Sequence, residues 1–192
     1  MSTSPAPLRI TPQQYLEDER RASFKSEYVD GDVYLMTGAS EPHTSIASNT
    51  IMALGPELRP RSCKIYGGDL KVWIPANFAF VYPDLTIVRG KPRMHDGRGD
   101  VIENPLVIFE ILSPSTEKFD RGRKFRMYRS IPSLKQYVLV AQDEPRVELY
   151  TRDPNGFWIY SEYASLDAIA DFSAIQVQIA LAHIYEQVEF NP

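Results

Sequence analysis

Two carboxylates stand where apolar side chains would be expected. Asp84 opens the segment Tyr82-Pro83-Asp84-Leu85-Thr86-Ile87-Val88, and Glu110 lies inside Leu106-Val107-Ile108-Phe109-Glu110-Ile111-Leu112. Both segments read as strands, and side chains alternate along a strand, so Glu110 shares its face with Ile108 and Leu112. An unpaired carboxylate on such a face costs several kcal/mol of desolvation, so Glu110 needs a partner. A structural ion pair is one solution. A divalent cation shared with Asp84 is another, because a hard metal such as Mg²⁺ (or Mn²⁺) takes oxygen ligands. A metal held by two carboxylates suits phosphodiester hydrolysis, where it lowers the pKa of the attacking water and stabilises charge on the phosphate oxygens.

The elements that must position these groups can be read from caps, turns and periodicity. Thr11 followed by Pro12 predicts a short helix to about Arg20. Lys25 to Val29 and Asp32 to Met36 flank Asp30-Gly31, a two-residue hairpin signal. Ser40 or Glu41 opens a helix to about Leu58, with His43, Ile46, Ala47, Thr50 and Leu54 on its inward stripe. Strands are predicted at Lys64 to Tyr66 and Leu70 to Ile74, then a polar loop from Gly90 to Asn104. After the Glu110 strand, Ser113-Pro114-Ser115-Thr116 starts a helix to about Ser130, which Pro132 ends. Gln136 to Val140 reads as a buried strand, making a parallel strand-helix-strand crossover. Arg146 to Arg152 and Phe157 to Tyr163 form a hairpin, and Ile175 to Val188 mixes strand and helix periodicity. The reading is a flexible tail over residues 1–10, then one mixed α/β domain over residues 11–192.

Composition narrows the setting. The 192 residues carry one cysteine, Cys63, so a disulfide within the chain is excluded and a reducing cytoplasm is expected. No apolar run is long enough for a membrane span, and the N-terminus does not read as a signal peptide. The net charge is −4, yet Lys118, Arg121, Arg123, Lys124, Arg126, Arg129 and Lys135 crowd one stretch opposed only by Asp120. Such a stretch is either a solvated helix face or a phosphate-binding footprint; Lys118, Arg121 and Arg123 are its candidate nucleic-acid contacts. No Gly-rich phosphate loop, Gly-x-Ser-x-Gly elbow or paired-cysteine zinc motif is present.

Pro83-Asp84, the strand carrying Glu110 before Ser113-Pro114-Ser115-Thr116, and Asp120-x-x-x-Lys124-x-x-x-Tyr128 together resemble the Uma group of restriction endonuclease-like proteins, within the PD-(D/E)XK nuclease superfamily. The resemblance runs from Tyr15 through Tyr150 and includes Tyr28-Val29-Asp30-Gly31 and His43. It implies a restriction endonuclease-like mixed β-sheet flanked by helices, here with an additional C-terminal hairpin. It also implies a metal-dependent phosphodiesterase site in which Asp84 and Glu110 are both catalytic and metal-binding. The superfamily's usual lysine, two residues after the glutamate, is replaced by Leu112, and Lys124 on the following helix is the expected substitute. An alternative is that Lys124 pairs only with Asp120, one turn away.

His43 and Glu27 are further candidate metal ligands; Asp69 and Lys71 are weaker candidates, and Tyr128 reads as packing. Three functions follow: a metal-dependent endonuclease acting on DNA, an inactive nucleic-acid-binding domain on a nuclease fold, or a protein-interaction module whose carboxylates are simply paired. The first expects Mg²⁺ or Mn²⁺, a nucleic-acid partner, no membrane, and a homodimer, since two strands need two sites.

Overall fold

The computed structural model describes residues 9–190. Thr11 caps α1 (Pro12–Glu19) by accepting the Gln14 N–H, and Pro12 fills a first-turn position where no donor is required. β1 (Ser26–Val29) and β2 (Asp32–Leu35) pair antiparallel around Asp30-Gly31. Both turn residues have positive φ, 49° and 97°, the backbone twist a two-residue hairpin favours. α2 (Glu41–Leu58) starts from Ser40, whose side chain accepts the His43 N–H, and buries Ile46, Thr50 and Leu54.

β3 (Cys63–Gly67) and β4 (Lys71–Ile74) follow as expected. β5 (Ala79–Val81) is too short to show a period. β6 (Leu85–Arg89) starts one residue after Asp84. β7 (Val101–Ile102) is a two-residue strand inside what reads as a polar loop. β8 (Val107–Leu112) carries Glu110.

The helix expected after Thr116 runs without a break through α3 (Glu117–Phe119), a π-helical turn (Asp120–Lys124) and α4 (Phe125–Tyr128). In the π turn the Phe125 N–H reaches back to the Asp120 carbonyl, one residue further than in an α-helix. Asp120 and Lys124 are both buried there. β9 (Gln136–Ala141), β10 (Arg146–Arg152) and β11 (Trp158–Ala164) complete the main run of strands. β12 (Ile169–Phe172) and β13 (Val177–Ala180) form a small hairpin before α5 (Leu181–Ile184).

Two larger sheets result, β2-β1-β5-β4-β7 and β11-β10-β9-β8-β6-β3. β8 and β9 are parallel, joined by the helical crossover, as the strand-helix-strand order predicts. Alternation along β8 divides the core. Val107, Phe109 and Ile111 pack with α2, β12, β13 and α5. Ile108 and Leu112 pack on the opposite face, with Met127 and Tyr128 of α4 and with Val29, Val72 and Val81 of the five-stranded sheet. Glu110 therefore points into the layer between the two sheets and beneath the π turn.

Candidate active site

Glu110 is the residue around which the site is organised. It is 2% exposed in a strand buried on both faces. β6 runs antiparallel to β8 with Leu85 opposite Phe109, and the next step of that register sets Asp84 beside Glu110. Asp84 Oδ2 accepts the Ile111 N–H at 2.6 Å, so the main chain next to Glu110 fixes the second carboxylate. His43, in the first turn of α2, brings Nε2 to 3.2 Å from the same Asp84 oxygen. His43 thus reaches the site through Asp84.

The ammonium of Lys124 closes the cluster. Its Nζ lies 3.0 Å from Glu110 Oε1, 3.1 Å from Glu27 Oε1 and 3.7 Å from Asp120 Oδ1. Glu27, on β1, is held by the Tyr82 N–H at 2.9 Å. The sequence left open whether Lys124 pairs with Asp120 or reaches the strand carboxylate. It does both, with Glu110 the closer. Tyr128, expected as packing, donates its hydroxyl to Glu110 Oε1 at 2.8 Å. The signal for this was spacing: Asp120, Lys124 and Tyr128 recur one helical turn apart, on one face.

Burial pushes the Glu110 carboxyl well above its ordinary range, against the opposing pull of the Lys124 ammonium. Burial likewise raises Asp120. Burial alone would neutralise Lys124, but Glu110, Glu27, Asp120 and Asp84 outweigh it and hold the ammonium charged. Burial also opposes charge on His43; its hydrogen bond to Asp84 overrides this and raises its pKa. Carboxylates outnumber cations in the cluster, an imbalance a further cation would relieve. The donor set is oxygen-rich and suits a hard divalent ion. Among the described residues no three His, Cys, Asp or Glu side chains are gathered as a ready-made metal cage. An ion held by Asp84 and Glu110 would draw its other ligands from water and substrate, as Mg²⁺ commonly does.

The other candidates separate. Arg121 is committed to Glu148 by two hydrogen bonds (2.6 and 2.7 Å) and to Glu117 by a third (2.7 Å), which pins the π turn to β10. Arg123 and Lys118 are exposed; Arg123 donates to the Tyr34 hydroxyl at 3.1 Å. Lys71 is buried but faces Asp100 (3.2 Å) and the Tyr82 hydroxyl (3.1 Å), not Glu110. Asp69 pairs with Lys25 at the surface, and His95 finds Glu103 at 2.9 Å.

This geometry can be set beside known proteins. A family model described as "Uma2: Putative restriction endonuclease" matches residues 12–182. The chain belongs to the Uma2 family. Two Synechocystis proteins are similar across nearly the whole Uma2 chain. One, sll1609, is 32% identical over 168 residues, covering 88% of this chain and 95% of its own. The other, slr1290, is 32% identical over 182 residues, covering 95% and 94%. An Anabaena variabilis protein, whose crystal structure is described as a putative nuclease belonging to DUF820, superposes with a TM-score of 0.76 at 17% identity. The match covers 94% of this chain and 99% of that one. The likeness establishes a shared fold, the restriction endonuclease-like arrangement expected for an Uma2 chain. The π turn, Glu110 and Asp84 all lie inside the matched span.

Proposed function

We propose that this Uma2 chain is a metal-dependent endonuclease that hydrolyses phosphodiester bonds in DNA. The observation that carries the reading is the reach of Lys124. It arrives from a different element than Glu110, yet its Nζ comes within 3.0 Å of the Glu110 carboxylate. Asp84 and Glu110 would hold Mg²⁺ or Mn²⁺, which when bound supplies Lewis acidity and an acidified water. His43 would steady Asp84, and Glu27 would steady Lys124.

The chain's own groups divide the remaining work. The Ile111 N–H keeps Asp84 turned toward Glu110. The Tyr128 hydroxyl holds one Glu110 oxygen, leaving the other for a ligand. The Lys124 ammonium, kept charged by its neighbours, would orient the attacking water or stabilise negative charge growing on the phosphate. Cutting both strands of a duplex calls for two sites and hence a homodimer. The exposed side chains Phe157, Ile159 and Tyr160 along the β11 hairpin offer one contact surface. The single buried cysteine suits action in the cytoplasm.

The test is cleavage of supercoiled plasmid, linear duplex and single-stranded DNA with Mg²⁺ or Mn²⁺, beside Asp84→Ala, Glu110→Gln and Lys124→Ala. Metal-dependent nicking lost in the carboxylate variants is the expected result. A folded protein that neither cuts DNA nor binds metal through Asp84 and Glu110 would overturn it.

A further inference from the structure

Arg123 of the π turn and Arg126 and Met127 of α4 line a cleft of about 570 Å³, whose rim also includes Asp30, Asn77 and Phe78. No carboxylate of the cluster lines the cleft, but the two share elements. Arg123 directly precedes Lys124, and Val29, on the cleft wall, lies on the same face of β1 as Glu27. Its volume falls within the range of small-ligand sites.

Two independent features give the cleft a chemistry. The first is charge. Arg121 is neutralised by Glu148 and Glu117. Among the described residues, however, Arg123 and Arg126 have no acidic partner and both are exposed; Arg123 contacts only the Tyr34 hydroxyl and ring. The rim's own carboxylate, Asp30, is countered by Arg9 at 3.4 Å.

The second is Phe78. It adopts φ +44°, a left-handed conformation that disfavours any residue with a side chain. The residue is nevertheless 57% exposed. The left-handed backbone is the cap of a 3-10 turn, as at Ser62 and Gln176, but core packing does not explain the exposure. The conformation is locked by the neighbouring turns: the Phe78 N–H bonds the Pro75 carbonyl at 3.2 Å, and its own carbonyl accepts the Asp30 N–H at 3.1 Å.

We infer that this cleft binds one unpaired nucleotide of the substrate strand, with the base stacked on Phe78 and its phosphate met by Arg123 and Arg126. The inference rests on the nuclease reading of the neighbouring site and adds a substrate class to it: a strand with at least one unpaired base. A wet aromatic beside free guanidinium groups is what sequence-tolerant single-strand binding requires, since every base has a π-face and every linkage a phosphate. Asn77 adds a polar group at the cleft wall that a base edge could meet.

The test is fluorescence anisotropy with labelled single-stranded DNA and RNA of about 12 nucleotides, a length such grooves cover. A matched duplex serves as comparison, and EDTA prevents turnover. Phe78→Gly is expected to weaken single-strand binding about tenfold, while leaving the melting temperature unchanged or raised because the left-handed strain is relieved. Arg126→Ala, at an exposed position, is expected to weaken binding and lower the salt slope by about one. The DNA and RNA arms report whether the 2′-hydroxyl matters; stacking predicts loss in both.

Affinities within twofold of wild type in both variants would overturn the inference, as would a wild-type protein that binds no single strand. Cleavage separates this from the parent reading. Binding that depends on Phe78 without any turnover would leave the cleft standing and remove the nuclease. Turnover with binding indifferent to Phe78 and Arg126 would do the reverse.

Discussion

Lys124 and Tyr128, one helical turn apart, converge on the same atom. The ammonium lies 3.0 Å and the hydroxyl 2.8 Å from Oε1 of Glu110. One Glu110 oxygen is thereby fixed twice from the crossover helix, while Asp84 is fixed from β8 itself. The arrangement leaves a small set of contacts whose removal has calculable consequences.

Replacing Lys124 with methionine keeps most of the volume but strands the buried carboxylates Glu110 and Glu27 without their counter-charge. Breaking one partner of a buried ion pair costs about 3–5 kcal/mol. Urea unfolding at neutral pH should show a loss of that order, shrinking as the pH falls and the stranded carboxylates take up protons. On the proposed mechanism, cleavage by the folded fraction should drop by about 10²-fold or more.

Tyr128→Phe deletes only the hydroxyl. Leaving a buried acceptor without its donor costs about 1–3 kcal/mol, so the variant should unfold at correspondingly lower urea. If Glu110 binds Mg²⁺, isothermal titration should also show altered affinity, because the carboxylate is then free to rotate. Unchanged stability would mean the contact is incidental.

Arg121 tests whether the basic stretch is free to meet phosphate. Its guanidinium is held by the buried Glu148, which also takes Arg146 at 2.7 Å. Glu148→Ala should therefore lower stability by about 1–3 kcal/mol, limited because both arginines can rehydrate. The same change should release Arg121 and steepen the salt dependence of oligonucleotide binding by about one. Arg121→Ala in the otherwise unchanged protein should leave that slope alone.

The acid limb of stability should depend on Asp100. Its hydrogen bond from Arg20 pulls its pKa down to about 2 against the opposing effect of burial, with Lys71 assisting. The folded pKa lies below the unfolded one, so the carboxylate stabilises the fold above about pH 4 and loses that contribution as the pH falls toward 2. Asp100→Asn should lower the melting temperature at neutral pH and flatten its decline between those limits. A parallel decline in both proteins would show that the Arg20–Asp100 pair carries no net stability.

How much of this was legible depended on whether a residue's neighbours in space were also its neighbours in sequence. Glu110 declared itself because alternation on β8 is local: a carboxylate between Ile108 and Leu112 violates the pattern wherever the strand is placed. The caps at Thr11 and Ser40 and the hairpin at Asp30-Gly31 are equally local. β5 and β7 were hidden because two or three residues carry no period, and their pairing to β4 supplies the order. The helix expected after Thr116 forms, but the π turn inside it was hidden because such a turn has no separate sequence signature. Tyr128 packs in the core as expected, but its bond to Glu110 was hidden since the acceptor lies on a different element. Arg121 read as a free cation because its partner Glu148 comes beside it only when β10 joins β9.

The sequence by itself determined the kinds of group available: two carboxylates in apolar strands, a lysine and tyrosine in helical register, and a family pattern that tied them together. Each follows from short-range rules of alternation, capping and turn chemistry, which need no knowledge of the remainder of the chain. The tertiary structure alone decided that Lys124 rests between Glu110 and Glu27, that His43 addresses Asp84, and that Arg121 is spent on Glu148 while Arg123 and Arg126 stay open to solvent. Those outcomes turn on separations of a few ångströms between elements distant in sequence, where the gain from pairing a buried charge selects one partner from several.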